Sequence, residues 1–99
     1  MNCDDRKRII VNWDKLVEGI IVAGVCDKLM SVEVIDDEEY EEIVFFERKT
    51  RKERVRTLLR ILMKKSRPPD VLAIFCNALL EADPVYQYLT QLIRDTGKA

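Results

Sequence analysis

One stretch in the middle of the chain reads Thr50-Arg51-Lys52-Glu53-Arg54-Val55-Arg56-Thr57-Leu58-Leu59-Arg60-Ile61-Leu62. Thr50 and Glu53 have the T-x-x-E spacing of a capping box, in which each side chain bonds to the other residue's backbone amide at a helix start. The apolar residues that follow recur at helical spacing and share one face of the helix: Val55, Leu58, Leu59 and Leu62. The stretch therefore predicts an amphipathic helix that packs against a core.

Five more helical segments are predicted around this one. Two apolar-periodic segments lie near the N-terminus, where Gly19 and Gly24 predict a bend or a boundary. Asp36 begins a short third helix because Glu39 lies at the capping-box spacing. The last two helices are predicted to start at the proline signals of 66–70 and 83–84, since proline is tolerated in a first helical turn. The pattern predicts an all-α fold.

Length and composition favour a single domain over residues 1–99. A chain of 99 residues with 47% hydrophobic residues can bury one core, and three glycines and three prolines are few for a turn-rich β fold. Cys3, Cys26 and Cys76 have no C-x-x-C spacing, so we expect reduced thiols in a cytoplasmic protein, with Cys26 and Cys76 packed as small hydrophobes. No uninterrupted apolar run reaches the length of a membrane span, and no membrane association is expected.

The residues needed for most catalytic sites are missing. The chain has no histidine, which removes most general-base, zinc-site and Cys-His nucleophile chemistry. No glycine-rich phosphate-binding motif occurs, and the acidic run at 36–39 lacks the spacing of a calcium loop. We therefore expect no enzyme activity, no cofactor and no metal site.

Charge is divided into two blocks although the formal net charge is only -1. Residues 33–47 carry eight acids and no base, whereas 48–67 carry ten bases and one acid. Opposite blocks on one small domain favour head-to-tail association with a partner of the same kind. The basic block also allows an alternative, a helical nucleic-acid-binding domain using 48–67, which the neighbouring acids and the net charge disfavour.

The order of these features resembles a known family, the caspase recruitment domain (CARD) of the death-domain superfamily. The resemblance covers about residues 5–95. It is carried by Leu16-Val17-Glu18, Asp27-Lys28-Leu29-Met30, the acidic segment 35–43, the basic helix beginning at Thr50, and the segment 75–81. The pattern is most similar to initiator-caspase prodomains and apoptosome-type adaptors. A pyrin or death-effector domain is the alternative within the same superfamily.

The resemblance implies a six-helix antiparallel Greek-key bundle with a bent or split first helix. It also implies a non-catalytic module, in an adaptor or as the regulatory prodomain of a caspase, that binds other CARDs and can form homo-oligomers in apoptotic or inflammatory signalling. The implied basic partner-binding patch comprises Lys7, Arg8, Arg51, Lys52, Arg56 and Arg60. The implied acidic patch comprises Asp27, Glu33, Asp37, Glu41 and Glu42.

Overall fold

A computed structural model describes residues 1–45 and 50–96. Within these residues the chain forms seven α-helices and no β-strand. The helices are α1 (Cys3–Val11), α2 (Trp13–Gly19), α3 (Val22–Ser31), α4 (Asp37–Val44), α5 (Arg51–Lys64), α6 (Val71–Ala82) and α7 (Gln87–Asp95). A 3₁₀ turn at Pro84–Tyr86 leads into α7, so the predicted last helix begins as a 3₁₀ turn.

The predicted helix starts are largely confirmed. Asp36 and Glu39 form both bonds of a capping box at the start of α4. At the start of α5, the Thr50 hydroxyl accepts a hydrogen bond from the Glu53 amide at 3.2 Å, and among the described residues only this half of the predicted box forms. Each cap satisfies amides that have no partner inside the helix, which fixes where the helix begins.

The first helical region is split at Asn12, and the glycines do not cause that split. Asn12 is almost fully buried, and its side-chain amide donates to the Arg8 carbonyl and to the Thr96 hydroxyl, both at 2.8 Å. Asparagine favours such local backbone bonds over a continuous helix, and here the bond to Thr96 also ties the break to the end of α7. Gly19 ends α2, and Gly24 lies within α3.

Buried apolar faces of the helices meet in one core. All four residues of the predicted α5 face are buried, and α5 packs against α2 and α4 while α3 packs against α6. Cys26 and Cys76 are free and buried, as predicted, and pack as small apolar residues. Burial of this kind contributes about 1.5–3 kcal/mol for each large aliphatic side chain. The core thus holds α4 and α5 side by side.

A Schellman motif ends α3. The amide of Val34 donates to the Leu29 carbonyl, and the amide of Glu33 donates to the Met30 carbonyl, both at 3.0 Å. Glu33 takes the left-handed conformation that this motif requires, with φ of 60°. Val34 and Leu29 are both buried, which supplies the apolar contact that accompanies the motif. The motif turns the chain toward α4 and leaves the Glu33 side chain exposed.

Candidate interaction surfaces

Arg51, which was predicted in the basic patch, closes the carboxyl end of α2. Its guanidinium donates to the carbonyl oxygens of Glu18 at 2.9 Å and Ile20 at 3.3 Å. These carbonyls have no partner inside the helix, and a cation there also opposes the negative end of the helix dipole. Arg51 therefore joins the first turn of α5 to α2, and its contact with a partner stays a prediction.

Arg8 and Arg6 act in the same way at two other helix ends. The Arg8 guanidinium donates to the carbonyl oxygens of Ile93 at 3.1 Å and Arg94 at 2.9 Å, at the end of α7. Arg6 donates to the Met63 carbonyl at 3.1 Å, at the end of α5. Arg8 was predicted as a patch residue, and the structure places its guanidinium on α7. The sequence gives no local signal for these contacts because the paired residues are far apart in the chain.

Four other bases of α5 are available to a partner. Lys52 and Arg60 are exposed and Arg56 is half-buried. None of the three forms a hydrogen bond or an ion pair with any residue that the structure describes. Lys64, on the same helix, is likewise exposed and unpaired within 1–45 and 50–96. These cations therefore keep their full capacity for charge-assisted hydrogen bonds.

Three of these bases line one open hollow between α4 and α5. It has a volume of about 350 Å³. The lining residues are Glu42, Glu53, Arg56, Thr57, Arg60, Ile61 and Lys64. Arg56, Arg60 and Lys64 lie on successive turns of α5, as the four-residue spacing requires. Glu42, which was predicted in the acidic patch, thus lies on the side of α4 that faces the α5 bases.

Lys7 is exposed on α1, apart from Lys52. The bond from Arg6 to Met63 brings α1 to the carboxyl end of α5, whereas Lys52 lies in the first turn of α5. Lys7 and Lys52 were predicted to share one basic patch, but they lie near opposite ends of α5. Lys7 remains a predicted contact residue.

The predicted acidic residues other than Glu42 lie on α3, on α4 and on the connection between them. All four are exposed: Asp27, Glu33, Asp37 and Glu41. Tyr40 links the two helices, since its hydroxyl donates to a carboxylate oxygen of Asp27 at 2.7 Å. This hydrogen bond, and to a lesser degree burial, raises the pKa of the Tyr40 phenol. The bond therefore holds the Asp27 carboxylate beside α4.

Glu39 faces away from this acidic surface. One of its carboxylate oxygens accepts from Lys65 at 2.8 Å and from the backbone amide of Asp36 at 3.1 Å. Both side chains of the ion pair remain partly exposed, so we expect it to contribute about 1 kcal/mol or less. The pair ties the start of α4 to the end of α5, and the sequence analysis did not identify it.

The two buried thiols are unreactive, and no metal site is found among the described residues. Burial raises the pKa of Cys26 to about 12 and that of Cys76 to about 11, so both thiols stay protonated near neutral pH. No group of three or more potential ligand residues is arranged to hold a metal ion in the two described ranges. No described helix is both long enough and apolar enough to cross a bilayer.

Comparison with known proteins assigns the family. The family model of the caspase recruitment domain matches residues 6–95, which is nearly the whole chain. Comparison with curated protein sequences gives no match. The all-α architecture of the described residues agrees with this match. The chain belongs to the caspase recruitment domain family, whose members are non-catalytic protein–protein interaction modules of apoptotic and inflammatory signalling.

Proposed function

We propose that this CARD assembles with other CARDs, including further copies of itself, by contact between surfaces of opposite charge. The basic surface consists of Lys52, Arg56 and Arg60 on α5. The acidic surface consists of Asp27, Glu33, Asp37 and Glu41 on α3, α4 and their connection. The observation that carries the proposal is that these three bases are unpaired within the described residues, while Arg6, Arg8 and Arg51 are bound to helix ends.

We infer that the fold of the domain is a six-helix antiparallel Greek-key bundle. In that count α1 and α2 are the two halves of one helix split at Asn12. We further infer that the domain works in the cytoplasm, in an adaptor or as a caspase prodomain. The free state of its three cysteines supports that compartment.

Exposed charges affect the rate and the salt dependence of such a contact. Exposed charges at an interface chiefly raise the rate of encounter and fix the register, whereas most of the binding free energy comes from desolvated groups. A charge-reversed base therefore weakens assembly by placing like charges together. High salt weakens it by reducing the Debye length from about 10 Å at 0.1 M to about 3 Å at 1 M.

A nucleic-acid-binding function has less support. Glu42 and Glu53 line the same hollow as the α5 bases, and five of the eight residues of α4 are acidic. A duplex backbone would have to approach the α5 bases past these carboxylates, which repel phosphates. We therefore do not extend the proposal to nucleic acid.

The test compares light scattering of the purified domain in 0.1 M and 1 M sodium chloride with that of two variants. Arg60→Glu reverses a base of the basic surface. Arg67→Glu makes the same charge change in the α5–α6 connection, at an exposed residue without a described hydrogen bond. We expect salt-sensitive large particles for the wild type and for Arg67→Glu, and at least a tenfold higher concentration threshold for Arg60→Glu. Equal behaviour of the two variants would disprove the role of the basic surface.

A further inference from the structure

An exposed aromatic pair adjoins the acidic surface. Phe45, the residue that ends α4, is 65% exposed. Its ring centroid lies 5.7 Å from that of Tyr40, with the ring planes at 57°. The Tyr40 hydroxyl in turn donates to Asp27. A single exposed apolar residue is common on proteins and needs no explanation. Here, however, the exposed ring is connected through Tyr40 to a carboxylate.

This combination suits one kind of ligand. The face of an aromatic ring carries negative charge density and attracts a cation placed above it. A guanidinium group can lie flat on the ring and still donate hydrogen bonds within its plane, which a lysine ammonium cannot do. The Asp27 carboxylate accepts one bond from Tyr40 and has acceptor sites left for another donor.

We propose that Phe45, Tyr40 and Asp27 form a binding site for an arginine side chain of a second copy of this domain. The guanidinium lies against the Phe45 ring and donates to Asp27. This inference rests on the proposed function and adds to it the selection of arginine over lysine. Arg60 is the arginine we assign to the site, because it is the exposed arginine of the basic surface and is unpaired within the described residues.

The first experiment measures self-association of variants by analytical ultracentrifugation. Phe45→Leu keeps an apolar side chain but removes the aromatic face, and we expect it to weaken association about fivefold. Phe45→Trp, with the stronger aromatic face, strengthens it. Arg60→Lys keeps the charge and weakens association similarly, and adding it to Phe45→Leu has little further effect because both changes remove one contact. Fully additive effects, or equal association of the Phe45 variants, would overturn the site.

The second experiment does not depend on assembly. Methylguanidinium and methylammonium chloride are titrated separately into the domain at constant ionic strength, and ring signals are followed by NMR. We expect methylguanidinium to shift the Phe45 and Tyr40 signals more than methylammonium does. Tyr88 is the control because it is another exposed ring, on α7. Shifts equal to those of Tyr88 overturn the inference even when the domain assembles. Selective shifts in a domain that stays monomeric uphold the site and reject self-assembly.

Discussion

The left-handed residue at the end of α3 provides a test that separates stability from binding. Glu33 has φ of 60°, a region that costs an L-residue about 1–2 kcal/mol. Glycine takes this conformation without that cost, but loses about 0.5–1 kcal/mol more than other residues in conformational entropy on folding. The difference predicts that Glu33→Gly stabilises the domain by about 1 kcal/mol. For a domain of this size that corresponds to about 5 °C in Tm.

The matched variant is Glu33→Ala, which removes the same carboxylate but keeps the side chain that disfavours positive φ. Loss of a negative charge at the carboxyl end of α3 helps both variants by about the same few tenths of a kcal/mol. The difference in unfolding free energy between the glycine and alanine variants therefore measures the backbone contribution alone. Urea unfolding followed by circular dichroism measures it, and a glycine variant no more stable than the alanine variant would refute the reasoning.

The same two variants test why a non-glycine residue occupies this position. Both remove a carboxylate from the acidic surface, so we expect both to weaken CARD binding to a similar extent. Glu33→Gly would then be more stable and bind less well than the wild type. Backbone strain that persists at an exposed residue commonly accompanies a functional role for its side chain. Unchanged binding by both variants would leave Glu33 outside the contact.

Two other predictions concern the framework. Arg51→Gln should destabilise the domain by about 1–2 kcal/mol in urea unfolding, because the carbonyls of Glu18 and Ile20 lose a charged donor. The control is Lys52→Gln in the same helical turn, which should stay within about 0.5 kcal/mol of the wild type. Equal losses of stability in the two variants would contradict the capping role of Arg51. At pH 8 a thiol reagent should label only Cys3 rapidly in the folded domain, because Cys26 and Cys76 are buried and their raised pKa values keep them protonated. In urea the reagent should label all three cysteines. Fast labelling of all three cysteines without urea would contradict this prediction.

Local signals in the sequence predicted most of the helices. The segment that begins at Thr50 combines a cap, a strong apolar period and helix-favouring residues, and its helix begins directly after the predicted cap. The break at Asn12 was missed because its cause is tertiary. The Asn12 amide bonds to Thr96, which is 84 residues away, and no local pattern reveals that contact. The boundary predicted near the glycines is confirmed at Gly19, where α2 ends, whereas Gly24 lies within α3.

The sequence predicted which residues of the candidate surfaces are charged, but not which of them form contacts within the domain. Arg51 and Arg56 lie five residues apart in one basic run, and nothing in the run distinguishes them. The first binds the carbonyl end of α2, whereas the second lines an open hollow. Glu41 and Glu42 are adjacent in sequence, yet the 100° step between neighbours on a helix gives them different surroundings. Charge blocks thus predict that a surface exists, and the packing decides which of its members are available.

The placement of the two proposed surfaces on the domain determines what kind of assembly they can build. If both surfaces lay on one face, two copies related by a two-fold axis would pair basic with acidic twice, and the assembly would stop at a dimer. On different faces, the basic surface of one copy meets the acidic surface of the next in a heterologous contact, which leaves one surface of each kind unoccupied at the ends and allows further copies to add. Whether such growth closes into a ring or continues as a helix depends on the rotation between successive copies. That rotation follows from the relative placement of α4 and α5. The Glu39–Lys65 pair ties the start of α4 to the end of α5, and Arg51 ties the start of α5 to α2. Both contacts therefore influence the form of the assembly through the packing of the helices.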